Sequence, residues 1–357
     1  MDDQLKPTYD AILVVSFGGP EGPDDVLPFL ENVLRGKNVP RERMLEVAEH
    51  YYHFGGRSPI NEQNRALIAA LEAELKAHGP HLPIYWGNRN WHPLLPDILQ
   101  KMERDGVKRA LAFVTSAYGS YSGCRQYLED LERARLTVGE GSPVIDKIRL
   151  FYNHPIFVDI MRDRVQAALQ EFPAERRSRI PILFTAHSVP VSMAQASPYE
   201  EQLRETCRLV SEGVGREEFR LVYQSRSGPP TQPWLEPDVC EAIRKLHDAG
   251  GRELIVVPIG FLSDHMEVLY DLDTEARNLC RELGITMVRA GTASGHPQFA
   301  AMVRELIVER LQPETAPRCT GRLGAWPNTC APDCCPAPRR PAAGHPGARP
   351  GIASAQG

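Results

Sequence analysis

The sequence predicts an α/β protein made of two similar units, each a parallel sheet flanked by helices, with a cleft between them. Short, near-continuous apolar runs such as AILVVSF (Ala11–Phe17) and LIVV (Leu254–Val257) read as strands buried on both faces, the mark of parallel sheets. These runs alternate with stretches whose apolar residues recur at three and four positions, the βα rhythm of such folds. Four strands fall in each half, so the 357 residues divide into two units of ordinary size.

In the first half, Ala11–Phe17 ends in Gly18-Gly19-Pro20, a strand and its turn; the glycine spacing fits neither a dinucleotide nor a P-loop fingerprint. Pro23–Leu34 and Arg41–Tyr51 follow with helical periodicity, and HFGGRSPINEQN is a loop carrying Arg57 and Ser58 before an amphipathic helix from Asn61 to His78. Strands are expected at Pro83–Gly87, Lys108–Thr115 and Lys147–Tyr152, with GNRNWHP a polar loop and a helix from Arg125 to Arg135. After a helix at His154–Glu171 the plan repeats. Strands at Ile180–Thr185, Phe219–Gln224, Leu254–Val257 and Thr286–Ala290 alternate with helices at Tyr199–Glu212, Val239–Ala249, from Ser263, and Pro297–Leu311. The expected units are 8–153 and 154–312, then a cysteine-bearing extension over 313–335 and a disordered tail over 336–357, where Pro, Gly, Ala and Arg crowd without periodicity.

Composition excludes some classes of function. With 42% hydrophobic and 24% charged residues and a net charge of −5, nothing favours nucleic acid as a partner. No apolar run reaches the roughly 18 residues of a membrane span, and the N-terminal MDDQLKPTYD lacks a signal-peptide pattern. The expectation is a cytoplasmic monomer with reduced thiols.

The richest stretch follows the strand Leu254–Val257. On the helix expected from Ser263, with Asp264 and His265 in its first turn, Glu267, Asp271 and Glu275 recur at i, i+4 and i+8, lining one face. Like charges so spaced oppose each other by about 0.2–0.5 kcal/mol per pair. Such a row either faces water or offers itself to a cation. Its place at the carboxyl end of a strand, where open parallel sheets hold ligands, favours the cation, and oxygen ligands with one imidazole suit a first-row divalent metal in passage. His187, just past Ile180–Thr185, occupies the comparable place on its own strand. A histidine there is either structural or, as a neutral imidazole opposite the carboxylates, a proton acceptor.

FTAHSVP (Phe184–Pro190), YQSRSGP (Tyr223–Pro229) followed by PWLEPD, and PIGFLSDHMEVLYDLD (Pro258–Asp273) resemble the signature segments of the ferrochelatases. LVVSFGGPE (Leu13–Glu21) and HFGGRSPINEQN (His53–Asn64) resemble that family's porphyrin-binding segments, and the likeness runs in order from about residue 10 to 312. SFGGPEGPDD, HFGGRSPIN and SAYGSYSGC are most similar to the actinobacterial type. The resemblance implies two Rossmann-like, chelatase-type domains and insertion of Fe²⁺ into a porphyrin, with two pyrrole protons released; overall similarity leans to coproporphyrin III, with protoporphyrin IX as the alternative. It implies that His187 accepts protons or binds the metal, that Glu267 is its partner, and that Asp271 and Glu275 continue the path of iron or protons. It implies porphyrin contacts at Phe17, Arg57, Ser58 and Tyr121 or Tyr127. Where some coproporphyrin-using relatives carry a tyrosine able to reach the iron, this chain has Phe17. Cys124, with Cys330, Cys334 and Cys335 in TCAPDCCP, resembles the family's [2Fe–2S] ligand set, Cys319 being the spare; a zinc clasp or incidental tail cysteines are the alternatives. Rival functions are a cobalt or nickel chelatase of the same fold and a two-lobed protein that binds metal or porphyrin without turnover.

Overall fold

The computed structural model describes residues 8–37, 39–228 and 231–338. It contains two four-stranded, all-parallel sheets. The first comprises β1 (Ala11–Ser16), β2 (Ile84–Asn88), β3 (Arg109–Val114) and β4 (Val144–Lys147), in the order β2-β1-β3-β4. The second comprises β5 (Ile182–His187), β6 (Arg220–Gln224), β7 (Glu253–Val257) and β8 (Thr286–Arg289), in the order β6-β5-β7-β8. Every residue of β1 is buried, as are four of the five in β7, because helices cover both faces and leave no side of these strands to water.

The identical order places two equivalent crevices. From β1 the chain crosses to one side for β2 and to the other for β3, and from β5 it does the same for β6 and β7. Loops leaving the carboxyl ends at such a reversal diverge and open a crevice. The loops after β1, β3, β5 and β7 carry Phe17, Thr115–Tyr118, Val189 and Gly260–Ser263, with His187 at the tip of β5, and all meet at one cavity.

The two halves share one core. Phe113 of β3 stacks on Phe151 at 5.4 Å, and Phe151 meets Phe157 and Phe299 edge-on at 5.6 and 6.4 Å. The strand expected at Lys147–Tyr152 is corrected here: β4 lies earlier, and 148–154 is the buried crossover between the halves. A short apolar run is equally at home paired in a sheet or packed between layers. The last helix, Phe299–Leu311, packs back against Ile60–His78 of the first half. Buried Arg149 in the crossover grips Glu309 of that helix with two bonds of 2.6 and 2.9 Å, the bidentate geometry that best offsets desolvation of both charges.

Two other differences have plain causes. Helix Leu95–Arg104, absent from the sequence reading, buries Leu95, Leu99 and Met102, an i, i+4, i+7 signal overshadowed by its proline-rich entry. β5 continues to His187, two residues past the expected end.

Residues 312–338 follow the surface as a strap. Arg149 donates to the Arg318 carbonyl at 2.8 Å, Asn153 to that of Gly324 at 2.6 Å, and Arg125 to that of Pro332 at 2.5 Å. Beyond Pro338 the disorder expected from Pro336 onward lies outside the described residues. Among the described residues no helix is long and apolar enough to cross a membrane.

Candidate active site

The cavity measures about 290 Å³. One wall is a helical hairpin, Val26–Leu34 and Arg41–His53, whose small apolar cluster is separate from the main core. It contributes Phe29, Val33, Lys37 and Tyr51. Phe17 faces Phe29 edge-on at 6.3 Å, so the rim is aromatic and suited to a flat apolar ligand. The turn carrying Phe17 needs glycine next: Gly18 has φ +81°, and a Cβ there would stand 2.8 Å from that of Asn88.

The opposite wall is the segment Ser120–Tyr127, which presents Ser120, Ser122, Gly123, Gln126 and Tyr127. Its first turn, Tyr121–Arg125, is wound as a π-helix. Arg89, just past β2, lies over the Tyr127 ring at 4.4 Å and is ion-paired with Asp130. Burial and the nearby Arg89 charge hold the Lys37 ammonium below its ordinary range. The cavity thus offers apolar faces for a ring, with hydroxyls and cations for carboxylates.

On the floor, His187 Nε2 stands 3.5 Å from Glu267 Oε2. The fold aims the ring: Nδ1 donates to the Ser188 carbonyl, and Tyr199 donates to the His187 carbonyl at 3.0 Å. A carbonyl only accepts, so Nδ1 keeps its proton and Nε2 is the atom free to exchange one. Burial pulls the imidazole pKa down, but the Glu267 carboxylate and the Ser188 bond outweigh it and raise it to about 9. Burial likewise pushes Glu267 up, yet His187 and His265 hold it at about 2. Both shifts favour an imidazolium–carboxylate pair, where the sequence reading has a neutral imidazole. His265 is pulled down by burial, and its Nδ1 accepts from the Glu267 N–H at 3.2 Å, capping the helix it precedes.

That helix differs from the expected one. It begins at Met266, and Leu269–Ala276 is π-wound. An i→i+5 ladder takes more residues per turn than the 3.6 of an α-helix, so side chains four apart align more closely with the axis. The row Glu267, Asp271, Glu275 is straightened, not dispersed. Asp271 lies behind Glu267, accepting from Ser225 Oγ and, at 3.2 Å, from Gln224 Nε2. Burial first, then Glu267 and Glu275, raise its pKa to about 7; burial and Asp238 also raise that of Glu275.

A raised carboxyl pKa opposes folding as pH rises from the unfolded value of 3.8 to the folded value. Its stabilising contribution is present below the former and gone above the latter. Asp271→Asn is therefore expected to raise Tm by roughly 2–4 °C at pH 8, the gain widening up to about pH 7 and then levelling off. Thermal melts across this range check it; a lower Tm at pH 8 would mean the bonds from Ser225 and Gln224 dominate.

Of the residues expected to contact a porphyrin, Phe17, Ser58 and Tyr127 line the cavity. Arg57 and Tyr121 do not: Arg57 pairs with Glu62 at 3.2 Å, and Tyr121 donates to Glu129 at 3.0 Å. Lys37, Arg89, Tyr51 and Tyr199 were missed. Arg89 was detectable, since it directly follows a strand; Lys37 had no local signal.

Cys124 belongs to the Ser120–Tyr127 segment, and the strap brings Cys330, Cys334 and Cys335 within range of its charge. Cys334 and Cys335 thiols are 3.5 Å apart, Trp326 Nε1 donates to Cys330 at 3.3 Å, and both Cys334 and Cys335 feel the charges of Cys124 and Cys330. Burial raises the Cys124 thiol, and Lys147 partly offsets it. Thiols with N–H and ammonium donors near them have the chemistry of thiolate ligands, but their spacing does not assemble them into a centre. Among the described residues, no three or more Cys, His, Asp or Glu stand at metal-holding spacing. Cys319 is exposed.

Fold and site together define a two-lobed α/β protein with a cleft whose floor carries an imidazole–carboxylate pair at the head of a carboxylate row. The chain belongs to the ferrochelatase family, whose model matches residues 9–311. It is 59% identical over 337 residues to a ferrochelatase of Rhodopirellula baltica, covering 94% of this chain and 96% of that one. It is 49% identical over 350 residues to a coproporphyrin III ferrochelatase of Nocardia farcinica, covering 94% and 98%, and 50% identical over 369 residues to one of Streptomyces coelicolor, covering 96% and 98%. The structure of SirB from Bacillus subtilis with Fe³⁺ superimposes with a TM-score of 0.51 at 13% identity, covering 85% of this chain and 96% of that one, a likeness of fold.

Proposed function

We propose that this ferrochelatase inserts Fe²⁺ into coproporphyrin III in haem synthesis, with His187 and Glu267 as the acid–base and metal-receiving pair. The observation that carries the reading is the His187–Glu267 contact on the cavity floor, at the head of the acidic row. The porphyrin gives up two pyrrole protons and gains Fe²⁺. Glu267 stays ionised and receives the cation, whose charge weakens the carboxylate's hold on the imidazolium. His187 Nε2 then sheds its proton toward Asp271 and on to solvent, takes one from a pyrrole, and repeats the cycle for the second pyrrole proton. Asp271, titrating near neutrality, passes protons or iron along the row with Glu275. The net reaction is neither redox nor hydrolytic, which is consistent with an assignment to the lyases.

Coproporphyrin III is preferred to protoporphyrin IX on two grounds. The relatives described above include coproporphyrin III ferrochelatases, and the walls offer Lys37, Arg89, Ser58, Ser120 and Ser122 for four propionates instead of two. Anaerobic Fe²⁺ insertion with both porphyrins in competition should favour coproporphyrin III by at least about tenfold in kcat/KM. A preference for protoporphyrin IX would reverse the assignment, and porphyrin binding without insertion would make the chain a carrier.

Cys124, Cys330, Cys334 and Cys335 would hold a [2Fe–2S] cluster. When bound, the cluster supplies a one-electron couple and a cross-link between the strap and the cavity wall. Units at 8–153 and 154–312, with the cysteine-bearing extension over 313–335, fit the duplicated sheets. The unpaired thiols suit the cytoplasm. A monomer suffices, since one chain supplies both cavity and thiols.

A further inference from the structure

Arg289 closes β8 and lies largely buried, its side chain 14% exposed. Its Nε reaches both oxygens of Asp273 at 2.9 Å, and its Nη1 reaches Asp264 Oδ1 at 3.1 Å. These two carboxylates bracket the functional segment: Asp264 precedes the helix, and Asp273 lies within its π-wound part. Between them hang Glu267 and Asp271. Asp273 is two residues on from Asp271, so it leaves the opposite face of the helix. The pull of Arg289 on Asp273 therefore draws the back of the helix onto β8 and leaves the acidic row on the other side, with Glu267 at the cavity. The Asp264 end is tied to the other half as well, since its N–H donates to Gln63 Oε1 of the helix Ile60–His78 at 2.9 Å. That side-chain oxygen also accepts from Ser294 at 3.5 Å.

π-winding is rare and needs support from its surroundings, and it occurs preferentially at functional sites. An eight-residue π segment that relaxed to α-winding would turn Glu267, Asp271 and Glu275 progressively out of line. A guanidinium spanning two carboxylates in a fixed fork can resist this, whereas the point charge of a lysine cannot reproduce the fork.

We propose that Arg289 is a positioning residue for iron delivery, a bracket that holds residues 264–273 so that Glu267, Asp271 and Glu275 form one file leading to His187. It touches neither porphyrin nor iron and acts through Asp264 and Asp273. The proposal deepens the reading that the row receives Fe²⁺ and rests on it.

The test uses full-length protein, with anaerobic insertion measured while Fe²⁺ and porphyrin are varied separately. Arg289→Gln should raise KM for Fe²⁺ about tenfold or more, as loss of outer support does at metal sites, and leave KM for porphyrin within about twofold. Arg289→Lys should recover only part of the loss. Asp273→Asn, which leaves the Asp264 contact in place but also breaks the exposed Arg277–Asp273 pair at 2.9 Å, should reproduce part of the defect and add little to Arg289→Gln, because both remove the Arg289–Asp273 contact. It also carries the test alone if Arg289→Gln fails to fold. Hydrogen exchange should accelerate over residues 264–276 in either variant. Unchanged Fe²⁺ kinetics in the folded variants, or equal rises in both KM values, would overturn the bracket and leave Arg289 structural. The double variant Asp271→Asn/Glu275→Gln separates the two ideas. If it leaves KM for Fe²⁺ unchanged, the row reading fails; if it raises that KM while Arg289→Gln does not, the bracket alone fails.

Discussion

His187→Ala is expected to slow Fe²⁺ insertion by about 10²–10⁴-fold while porphyrin still binds within about twofold of the wild type. The asymmetry follows from where the imidazole stands. The ring is held by Ser188 on one nitrogen and faces Glu267 with the other, so its removal deletes the proton-exchanging atom. The aromatic rim and the Ser120–Tyr127 wall, which would carry binding, are untouched. Glu267→Gln should approach the same loss by another route. It preserves volume but removes the charge that raises the His187 pKa and would receive the metal. Stopped-flow insertion under anaerobic conditions, with porphyrin affinity from fluorescence quenching, checks both. Wild-type turnover in either variant would remove that residue from the chemistry.

Replacing any one of Cys124, Cys330, Cys334 or Cys335 by Ser is expected to abolish a [2Fe–2S] chromophore of about two irons and two sulfides per chain. It should also lower Tm by about 5 °C or more. Near Cys124 the strap is held by Arg125 to the Pro332 carbonyl, and the metal cross-link would add a second fastening at that end. Cys334 and Cys335 crowd their sulfurs, and Cys335 sits at φ +51°, a strain that a shared metal centre would offset. Cys319→Ser should change neither colour nor Tm. Colourless protein with one zinc per chain after iron-replete expression would replace the cluster with a zinc clasp.

Much of the site was legible because its parts follow strands. His187 and Glu267 were placed by the rule that ligands gather at the carboxyl ends of parallel strands, and the acidic spacing was visible as a periodicity. Arg57 and Tyr121 show where such reading ends. Each lies in a segment that does reach the cleft, yet each turns away to a local carboxylate, Glu62 or Glu129. Whether a side chain of a loop faces in or out depends on which partner is nearer after folding. Lys37 illustrates the converse, an ordinary lysine between two surface helices that the hairpin's packing carries into the cavity.

The sequence by itself determined the duplicated βα plan, the positions of nearly all strands, and the family-type segments around His187 and Glu267, since periodic burial is written locally in which residues avoid water. Only the tertiary structure decided which loops and side chains meet in the cleft between the two units, that the helix after β7 is π-wound, and that neighbouring charge raises the His187 pKa. The physical reason is shared by all three. The meeting of loops in the cleft depends on crossovers between segments more than a hundred residues apart. The winding of a helix is biased by a distant clamp such as Arg289. A pKa is the balance of desolvation against charges that no stretch of sequence contains on its own.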